Sequence, residues 1–569
     1  MWIAAFCNPA PITEAMMKAP ATSRWDSEVR LLAWLATCVS VFSFLFYFQR
    51  GDVLLYGDAV AHINIARRVF DSRTPGLLQL GTVWLPLPHL LMIPFLISKE
   101  MWQRGVGGSI PSLIAYVFGV VGMFRLVRGS LAGGGRLDAA ARIAAWVAAI
   151  AYGANPNLIY MQTTAMGEAL YLALFIWAVA YFSEYQHGDR KALTKCGFCL
   201  AAACLTRYDG WLLAAAMVVV VVVRSSRPGK TDSEKAITIS KSAVVKFTLI
   251  AAAAPAFWLA YNGIVYRNPL EFEIGPYSAK AIERKTQSTA NPGHPGGGNL
   301  LVAGLYFAKA GEANMAENPW LQRLWVAIGL VALLAAARSL RWPPTTEIVA
   351  PRSWLPLLLL VPVPFYALAV AYGGVPIFVP AWWPHAHYNV RYGLQLLPAF
   401  AMAFAIFVCL AIRTEQFKAK LRLGCVLGAF AVLIASYITI WCSGPICLKE
   451  AEINMRSRNQ LEAQVAIWLR KLPPDSTLLM YFGDHVGAVE QAGIPLKQVI
   501  NEGNHRAWKQ PFDPDGLWER ALANPAQYAD YVVGFAGDPV WQAVHERHLR
   551  ELVEIHVTGQ ARAVIYRAR

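Results

Sequence analysis

The sequence predicts a mainly α-helical, polytopic membrane protein that ends in a small soluble domain. Of its 569 residues, 56% are hydrophobic and only 15% are charged, whereas a soluble protein carries about 25% charged residues. The mean hydropathy is +0.38. Residues 31–49 contain no charged side chain and residues 109–127 contain only Arg125. Such runs match the ~20 residues that a helix needs to cross ~30 Å of hydrocarbon.

The apolar runs predict about eleven transmembrane helices. They lie near 31–49, 109–128, 142–160, 166–183, 193–206, 210–224, 246–266, 321–338, 354–373, 391–412 and 421–441. Because residues 1–30 are polar and contain Pro9, Pro11 and Pro20, we expect a signal anchor and no cleavable signal peptide.

Basic residues in short loops account for the net charge of +15. With residues 1–30 in the cytoplasm, the clusters fall on one side of the membrane, as the positive-inside rule requires. They occupy 125–142, 190–195, 224–241, 338–352 and 413–422. This placement argues against a nucleic-acid-binding protein. It predicts a multi-pass membrane protein with a cytoplasmic N-terminus, and we expect the membrane to be a bacterial inner membrane.

Three domains follow from these boundaries. They are the cytoplasmic tail 1–30, the transmembrane domain 31–442 and a soluble extracytoplasmic domain 443–569. The outer loops of the transmembrane domain are 50–108, 155–168, 267–319 and 374–390. Residues 84–98 form an apolar run that is too short to cross and contains three prolines, so we predict a helix at the outer interface.

The soluble domain has the pattern of a small α/β fold. The predicted strands are 478–482, 531–535, 553–557 and 563–566, and an amphipathic helix is predicted over 541–552. Cys196 and Cys199 lie in an apolar run without further ligands, which indicates helix packing. Cys442 and Cys447 follow the last span and could form a disulfide if that side is oxidising.

Acids at the outer ends of spans are candidate functional residues, since ionisable groups in a membrane are expensive. Asp58 lies early in the first outer loop and His62 follows four residues later, so a helix would place both on one face. Asp58 could act as a general base toward an acceptor hydroxyl or cap the helix that follows. Glu168 could be favoured by a helix N-terminus or pair with Asp58 to hold a divalent cation or orient a substrate.

Two arginines at outer helix ends are candidates for binding phosphate, because the guanidinium donates two parallel hydrogen bonds. Arg207 precedes Asp209 in an outer turn, and an ion pair with a local acid is the alternative. Arg391 has no acid close in sequence, and snorkelling to the interface competes with a functional role. Glu271 and Glu273 are best explained as a solvated part of the loop 267–319.

Together these features resemble the GT-C superfamily of membrane glycosyltransferases, which includes protein O-mannosyltransferases and aminoarabinose transferases. Asp58 matches the acid of the first outer loop, and Glu168 stands in the place of the second-loop acid. Residues 84–89 are similar to the proline-rich entry to the interfacial helix, and Arg391 resembles the arginine for the lipid phosphate. The chain departs from the family in having Gly57-Asp58-Ala59 instead of paired acids and one Glu in the second loop.

The resemblance implies sugar transfer from a polyprenyl-phosphate donor to a hydroxyl of a protein, lipid or glycan acceptor, with inversion at the anomeric carbon. Asp58 would be the base, and Glu168 and His62 would orient the substrates. The substrate-binding residues would be Arg391, Arg207, Tyr392, Asn389 and His89. A divalent cation, Mg²⁺ or Mn²⁺, held by Asp58 and Glu168 is left open. Because Trp382 and Trp383 are followed by Pro384, the sequon-reading motif of oligosaccharyltransferases is not matched.

Two other classes remain as alternatives. A secondary transporter or lipid flippase would carry ionisable residues near mid-span and two related halves. A non-catalytic membrane anchor would tolerate the replacement of Asp58.

Overall fold

The computed structural model describes residues 26–131, 138–186, 188–226, 240–286, 293–341, 355–414, 418–504 and 513–569. Most of the predicted tail 1–30, and parts of the basic loops around 136, 230 and 350, lie outside these residues. In the first half of the chain the helices are α1 (Ser27–Arg50), α2 (Gly57–Arg68), α3 (Leu87–Met92), α4 (Lys99–Gln103), α5 (Val106–Leu131), α6 (Ala139–Gly153), α7 (Pro156–Met161), α8 (Glu168–Gln186), α9 (Arg190–Cys204), α10 (Asp209–Ser226) and α11 (Lys241–Val265).

The second half of the membrane domain is also helical. It contains α12 (Glu271–Ile274), α13 (Ala279–Thr286), α14 (Leu300–Met315), α15 (Pro319–Arg341), α16 (Leu355–Leu358), α17 (Pro362–Tyr372), α18 (Leu397–Arg413) and α19 (Ala419–Ser443). A 3₁₀ turn, Val390–Leu396, leads directly into α18. Local chemistry sets several boundaries. The Asp26 carboxylate caps α1 by accepting from the Val29 N–H at 3.0 Å, and Gly51 ends it at φ 77°, a conformation that glycine adopts without steric cost.

The prediction of a mainly α, multi-pass membrane protein is confirmed. Every predicted apolar run falls in one helix or in two consecutive helices. Within the described residues, 8 helical segments are long and apolar enough to cross a membrane. Since α6 and α9 are 15 residues each, about eleven crossings stays a prediction that depends on how short helices sit in the bilayer.

Ion pairs show which helix ends share a face of the membrane domain. At one face Asp26 pairs with Arg128, Glu28 with Arg142 and Asp138 with Arg413. These are the start of α1, the end of α5, the start of α6 and the end of α18. At the other face Arg391 pairs with Asp58 and Glu168, which follow α1 and begin α8. Helix α1 therefore runs from the first face toward the second, whereas α5 and α18 end at the first face, where α6 begins.

The predicted loop 267–319 contains a long helix that sequence analysis missed. Helix α14 packs against α17 and the 3₁₀ turn at 390–396. At Gly393 an added Cβ would lie 2.3 Å from the backbone of Ala310, so the close approach requires glycine. The apolar run 84–98 forms the short helix α3 and the 3₁₀ turn Ile93–Phe95, in agreement with a segment that does not cross.

The C-terminal part begins with a long helix, α20 (Ile446–Leu469), which follows α19 after Gly444 and Pro445. A five-stranded sheet follows, in the order β2-β1-β3-β5-β4. Its strands are β1 (Leu478–Met480), β2 (Val499–Ile500), β3 (Tyr531–Phe535), β4 (Arg550–Ile555) and β5 (Ala563–Arg567). The strands β2, β1 and β3 are parallel, whereas β5 pairs antiparallel with both β3 and β4.

The same part of the chain contains α21 (Phe482–Ala492), α22 (Leu517–Ala523), α23 (Pro525–Tyr528) and α24 (Pro539–Val544). Helix α22 packs against β2, and α24 packs against β3. The predicted helix over 541–552 is wrong beyond Val544. Residues from Arg550 onward alternate and pair with β5 as β4. Sequence analysis also missed α20 and the two-residue strand β2, which is too short to give a periodic signal.

The C-terminal domain is docked on the first predicted outer loop through buried polar contacts. The Asn64 side chain of α2 donates to the Glu490 carboxyl of α21 at 2.5 Å and accepts from the Trp102 indole at 3.1 Å. Gln103 of α4 donates to the Glu490 carbonyl at 3.2 Å. Because buried polar groups need partners, these contacts fix the domain against the helix that carries Asp58.

Candidate active site

Arg391 is the centre of a buried ionic cluster. Its guanidinium donates to the Asp58 carboxylate at 2.6 Å and to the Glu450 carboxylate at 2.7 Å. Its Nε lies 3.4 Å from a Glu168 oxygen. The side chain is 9% exposed, so the snorkelling interpretation of Arg391 is wrong. The chain brings three acids from distant positions to one arginine.

Glu450 positions Arg391 through the backbone as well as the side chain. One carboxylate oxygen accepts from the N–H groups of Val390 and Arg391, at 2.6 and 3.3 Å. These N–H groups open the 3₁₀ turn 390–396 and have no partner within it. Glu450 is 1% exposed, so Arg391 and these backbone dipoles compensate its charge among the described residues.

Arg207 links Glu168 to a second acid. Its Nη1 donates to Glu168 at 3.1 Å and its Nη2 donates to the Tyr366 hydroxyl at 2.7 Å. Its Nε lies 3.5 Å from an Asp209 oxygen, and the Tyr366 hydroxyl also donates to Asp209 at 3.2 Å. The ion pair considered for Arg207 is therefore present, and it includes the candidate Glu168.

Aromatic rings separate and support the two guanidinium groups. The Tyr392 ring centroid lies 5.0 Å from Cζ of Arg207 and 5.1 Å from Cζ of Arg391. Tyr56 lies 5.0 Å from Cζ of Arg391 on another side. The negative faces of the rings attract the cations, so Tyr392 lies beside both guanidinium groups and favours their positive charges.

Asp58 is the most accessible acid of the cluster. Helix α2 begins at Gly57, and its N-cap is Tyr56, so the interpretation of Asp58 as an N-cap is wrong. One oxygen of Asp58 accepts from Arg391, and the side chain is 42% exposed. A carboxylate that is held at one oxygen and open at the other can accept a proton from a hydroxyl that approaches from solvent.

His62 and His89 form a pair beside the cluster and do not contact Asp58. Nδ1 of His62 lies 2.8 Å from Nε2 of His89, and the His62 ring lies 4.7 Å from the Trp84 ring. Burial, with the charges of Arg391 and Arg207, lowers the pKa of His62 to about 3. Burial also lowers the pKa of His89 well below its usual value. The two rings are therefore neutral at physiological pH, and one donates to the other.

Asn389 holds the loop that presents Arg391. It has a φ of 56°, in the left-handed region that asparagine tolerates better than most residues. Its side chain donates to the Pro376 carbonyl at 2.8 Å, and the Phe378 and Tyr388 backbones are bridged across the loop. Asn389 thus contacts the protein backbone and sits one turn from the ionic cluster.

The residues do not fit a divalent cation shared by Asp58 and Glu168. The Arg391 guanidinium donates to Asp58 and forms an ion pair with Glu168 at 3.4 Å, so a second cation there would be repelled. In the part of the chain that the structure describes, no three His, Cys, Asp or Glu side chains gather to hold a metal ion.

Three contributors to the cluster escaped sequence analysis: Glu450, Tyr56 and Tyr366. Glu450 lies in what was assigned to the soluble domain, and its acidic surroundings in α20 give no local signal. The suggested disulfide is absent, since Cys447 is buried, with its Sγ 3.4 Å from the Asn314 side chain, and Cys442 is exposed. Glu271 and Glu273 lie on α12, away from the cluster, and Glu273 pairs with Lys280.

Comparison with solved structures finds a similar overall fold in a polytopic membrane protein, ArnT. The two similar structures with the higher TM-score are those of ArnT, an aminoarabinose transferase from Cupriavidus metallidurans, bound to undecaprenyl phosphate and in the apo state. Each has a TM-score of 0.56 and covers 95% of this chain and 98% of ArnT, at 14% and 13% identity. The oligosaccharyltransferase AglB from Archaeoglobus fulgidus has a TM-score of 0.45 and 13% identity, over 90% of this chain and 69% of AglB.

No protein-family model and no curated protein matches the sequence. The predicted resemblance to GT-C proteins is therefore confirmed at the level of the fold, while the chemistry of the site must be argued from its own residues.

Proposed function

We propose that this protein transfers a sugar from a polyprenyl-phosphate donor to an acceptor hydroxyl on the extracytoplasmic side of the bacterial inner membrane. The observation that carries the proposal is the bond between the exposed Asp58 carboxylate and the buried Arg391. A base and a phosphate-binding cation then stand side by side at a membrane surface. The donor class is suggested by ArnT, whose structure holds undecaprenyl phosphate in the same fold.

In this mechanism Asp58 is the general base. Its free oxygen takes the proton of the acceptor hydroxyl, and the acceptor oxygen forms a bond to the anomeric carbon. The bond from that carbon to the phosphate oxygen breaks on the opposite face, and the lipid phosphate leaves with the electron pair. The configuration at the anomeric carbon is therefore inverted.

Arg391 links proton transfer to Asp58 with the departure of the lipid phosphate. Before transfer its charge is balanced partly by the Asp58 carboxylate, at 2.6 Å. When Asp58 accepts the proton it loses its negative charge, while the departing phosphate gains one. The guanidinium can then donate to the phosphate in a site with little water, where such stabilisation is strongest. Arg207 supports the same charge across Tyr392.

Glu168 and Glu450 act as anchors in this proposal. Glu450 keeps Arg391 in place while Arg391 exchanges its bond to Asp58 for one to the phosphate. Glu168 bridges Arg391 and Arg207. Because Arg391 pairs with both Asp58 and Glu168, we propose that transfer needs no divalent cation, and EDTA should leave turnover unchanged.

The test is sugar transfer by the purified protein from a panel of polyprenyl-phosphate sugars. Asp58→Asn should lower kcat by about 10²–10⁴ and keep donor binding, since the amide fills the same space. Asp138→Asn removes an acid that pairs with Arg413 at the opposite face and should keep full activity. Undiminished turnover by Asp58→Asn would contradict the role of the base. Substrate movement across vesicles without transfer would favour the transporter.

A further inference from the structure

Three buried asparagine residues join α7 to α14. Asn155 is the N-cap of α7 and Asn157 lies in its first turn, while Asn314 lies near the end of α14. Their exposed fractions are 0%, 0% and 1%. The main-chain carbonyl of Asn314 accepts from the side chain of Asn155 at 2.9 Å and from that of Asn157 at 3.2 Å. Because burying an amide without partners costs free energy, these bonds hold the two helices in one arrangement.

The side chain of Asn314 bonds three elements of the fold. Its Nδ2 donates to the Ala310 carbonyl of the same helix and to the Val390 carbonyl, both at 2.8 Å. Its Oδ1 accepts from Sγ of Cys447 at 3.4 Å. Since two carbonyl oxygens face Nδ2, the amide can donate only in this orientation. Asn314 therefore ties α14 to the turn 390–396 and to α20.

These contacts lie beside members of the ionic cluster. Val390 directly precedes Arg391, and its N–H donates to Glu450 at 2.6 Å while its carbonyl accepts from Asn314. Both backbone groups of Val390 are therefore bonded to buried side chains, one from α20 and one from α14. Cys447 precedes Glu450 by three residues on α20, which is nearly one helical turn.

Cys447 extends the network to the helix that carries Asp58. Its N–H donates to Oδ1 of Asn157 at 3.1 Å, and its carbonyl accepts from the Tyr56 hydroxyl at 2.7 Å. Tyr56 is the N-cap of α2 and precedes Asp58 by two residues. The network is thus connected to the chain within three positions of each of Asp58, Arg391 and Glu450.

We infer that Asn314 is a positioning residue of the site, which sets where the Arg391 guanidinium stands. The turn 390–396 lies directly on α14, because an added Cβ at Gly393 would be 2.3 Å from the backbone of Ala310, one helical turn before Asn314. Misplacing a reacting group by about 1 Å can lower a rate on the order of 10²-fold. The inference rests on the proposed function only for the reaction that Arg391 serves.

Hydrogen exchange of the full-length protein in detergent tests this contact without any transfer reaction. Mass spectrometry of a peptide that spans 388–396 reports the N–H groups of Val390 and Arg391, which donate to Glu450. Asn314→Ala removes the bond to the Val390 carbonyl, so we expect these groups to exchange about tenfold faster. Exchange of this peptide at the wild-type rate would overturn the inference.

Asn262→Ala is the matched control. Asn262 of α11 is also 0% exposed, donates to the Trp258 carbonyl of its own helix at 2.9 Å and accepts from the Thr82 hydroxyl. Among the described residues it makes no hydrogen bond to the turn 390–396 or to α20. Asn262→Ala should lower the thermal midpoint as Asn314→Ala does, and leave exchange of 388–396 unchanged. Equal acceleration by both variants would reject a specific role of Asn314.

Steady-state kinetics separate positioning from folding. Asn314→Ala should lower kcat about tenfold or more. The KM for the acceptor should stay within about twofold, because Arg391 serves the departing phosphate and not acceptor binding. Asn262→Ala should keep kcat within about twofold of the wild type. A raised acceptor KM with unchanged kcat in Asn314→Ala would contradict the inference.

Two substitutions of Cys447 provide the test if Asn314→Ala does not fold. Cys447→Ala removes the donor to Oδ1 of Asn314 and should lower kcat about threefold, since a thiol is a weak donor. Cys447→Ser supplies a hydroxyl donor at the same place and should restore the wild-type kcat. Full activity of Cys447→Ala, or a loss that Cys447→Ser does not restore, would count against the network.

The outcomes separate this inference from the proposed function. Faster exchange at 390–391 in Asn314→Ala but not in Asn262→Ala, in a protein without transferase activity, would support the placement of Arg391 by Asn314 and reject the reaction. Transfer that depends on Asp58, with exchange and kcat indifferent to Asn314→Ala, would reject the inference and keep the reaction.

Discussion

Both faces of the membrane domain contain ion pairs between arginine and acidic side chains, but these ion pairs serve different purposes at the two faces. At the face of Asp26, Arg142 is 59% exposed and pairs with Glu28. The acids Asp26 and Asp138 are 27% and 48% exposed, although their partners Arg128 and Arg413 are each 10% exposed. At the face of Asp58, Arg391 is 9% exposed and pairs with Glu450, which is 1% exposed. Exposed pairs contribute little to stability, whereas buried charges must be compensated. The comparison indicates that the first face orients helices, while the second maintains a charged site at a cost in desolvation.

Removing the buried cation should have the largest effect. Arg391→Met leaves Asp58, Glu168 and Glu450 without their shared partner, and breaking a buried pair costs about 3–5 kcal/mol. We expect a lower thermal midpoint in detergent and loss of transfer. Arg391→Lys keeps the charge without the fork, so it should recover most of the stability and little of the activity. A stable, active Arg391→Met protein would show that the two faces do not differ.

A smaller effect on stability is expected from substituting Glu490, at the contact between the C-terminal domain and α2. Burial raises the pKa of Glu490 well above its usual value, with Glu462 adding repulsion and the bond from Asn64 opposing it. When folding raises the pKa of an acid, the protonated acid favours the folded state. This contribution to stability is complete at pH values below the pKa of the acid in the unfolded chain. That stability is lost as the pH rises toward the folded pKa.

The pH dependence of unfolding checks this sign. Wild-type stability should decline as the pH rises above about 4.5, the ordinary value of a glutamate. Glu490→Gln should be the more stable protein at pH 8, by about 1 kcal/mol, on the order of one hydrogen bond. The two proteins should converge near pH 4.5. Parallel curves from pH 4 to 8 would mean that Glu490 is ionised in the folded protein.

The smallest change in stability is expected from a substitution at the face of Asp26. Arg142→Gln removes one exposed ion pair and should change stability by less than about 1 kcal/mol. Transfer activity should stay within twofold of the wild type. A loss comparable to that of Arg391→Met would require a coupling between the two faces that no contact of Arg142 explains.

The sequence predicted the fold class and the acids of the site because both have local signals. Charge-free runs define spans, and Asp58 and Glu168 stand out as acids at span ends. The helix α14 was missed because its run from Leu300 is interrupted by Lys309 and Glu312, which pair with each other at 2.9 Å. The ion pair compensates both charges, so the helix tolerates them in an otherwise apolar run.

The composition of the ionic cluster could not be predicted for a related reason. Arg391 has no acid nearby in sequence, yet it contacts three acids in space. Snorkelling stood as the alternative to phosphate binding because local context alone offered Arg391 no ion-pair partner. The roles of His62, His89 and Asn389 stay predictions. In the structure these residues contact each other or the backbone, so any contact with substrate is still to be tested.

The position of Glu450 has a consequence for how the protein is made. Asp58 and Arg391 are 333 residues apart, and Glu450 comes 59 residues after Arg391. At a synthesis rate of about 5–20 residues per second, Arg391 is added roughly 15–70 s after Asp58. Glu450 emerges after every predicted span has been made. The acids and the arginine are therefore synthesised at different times. The ionic cluster can form completely only after the whole membrane domain has been made.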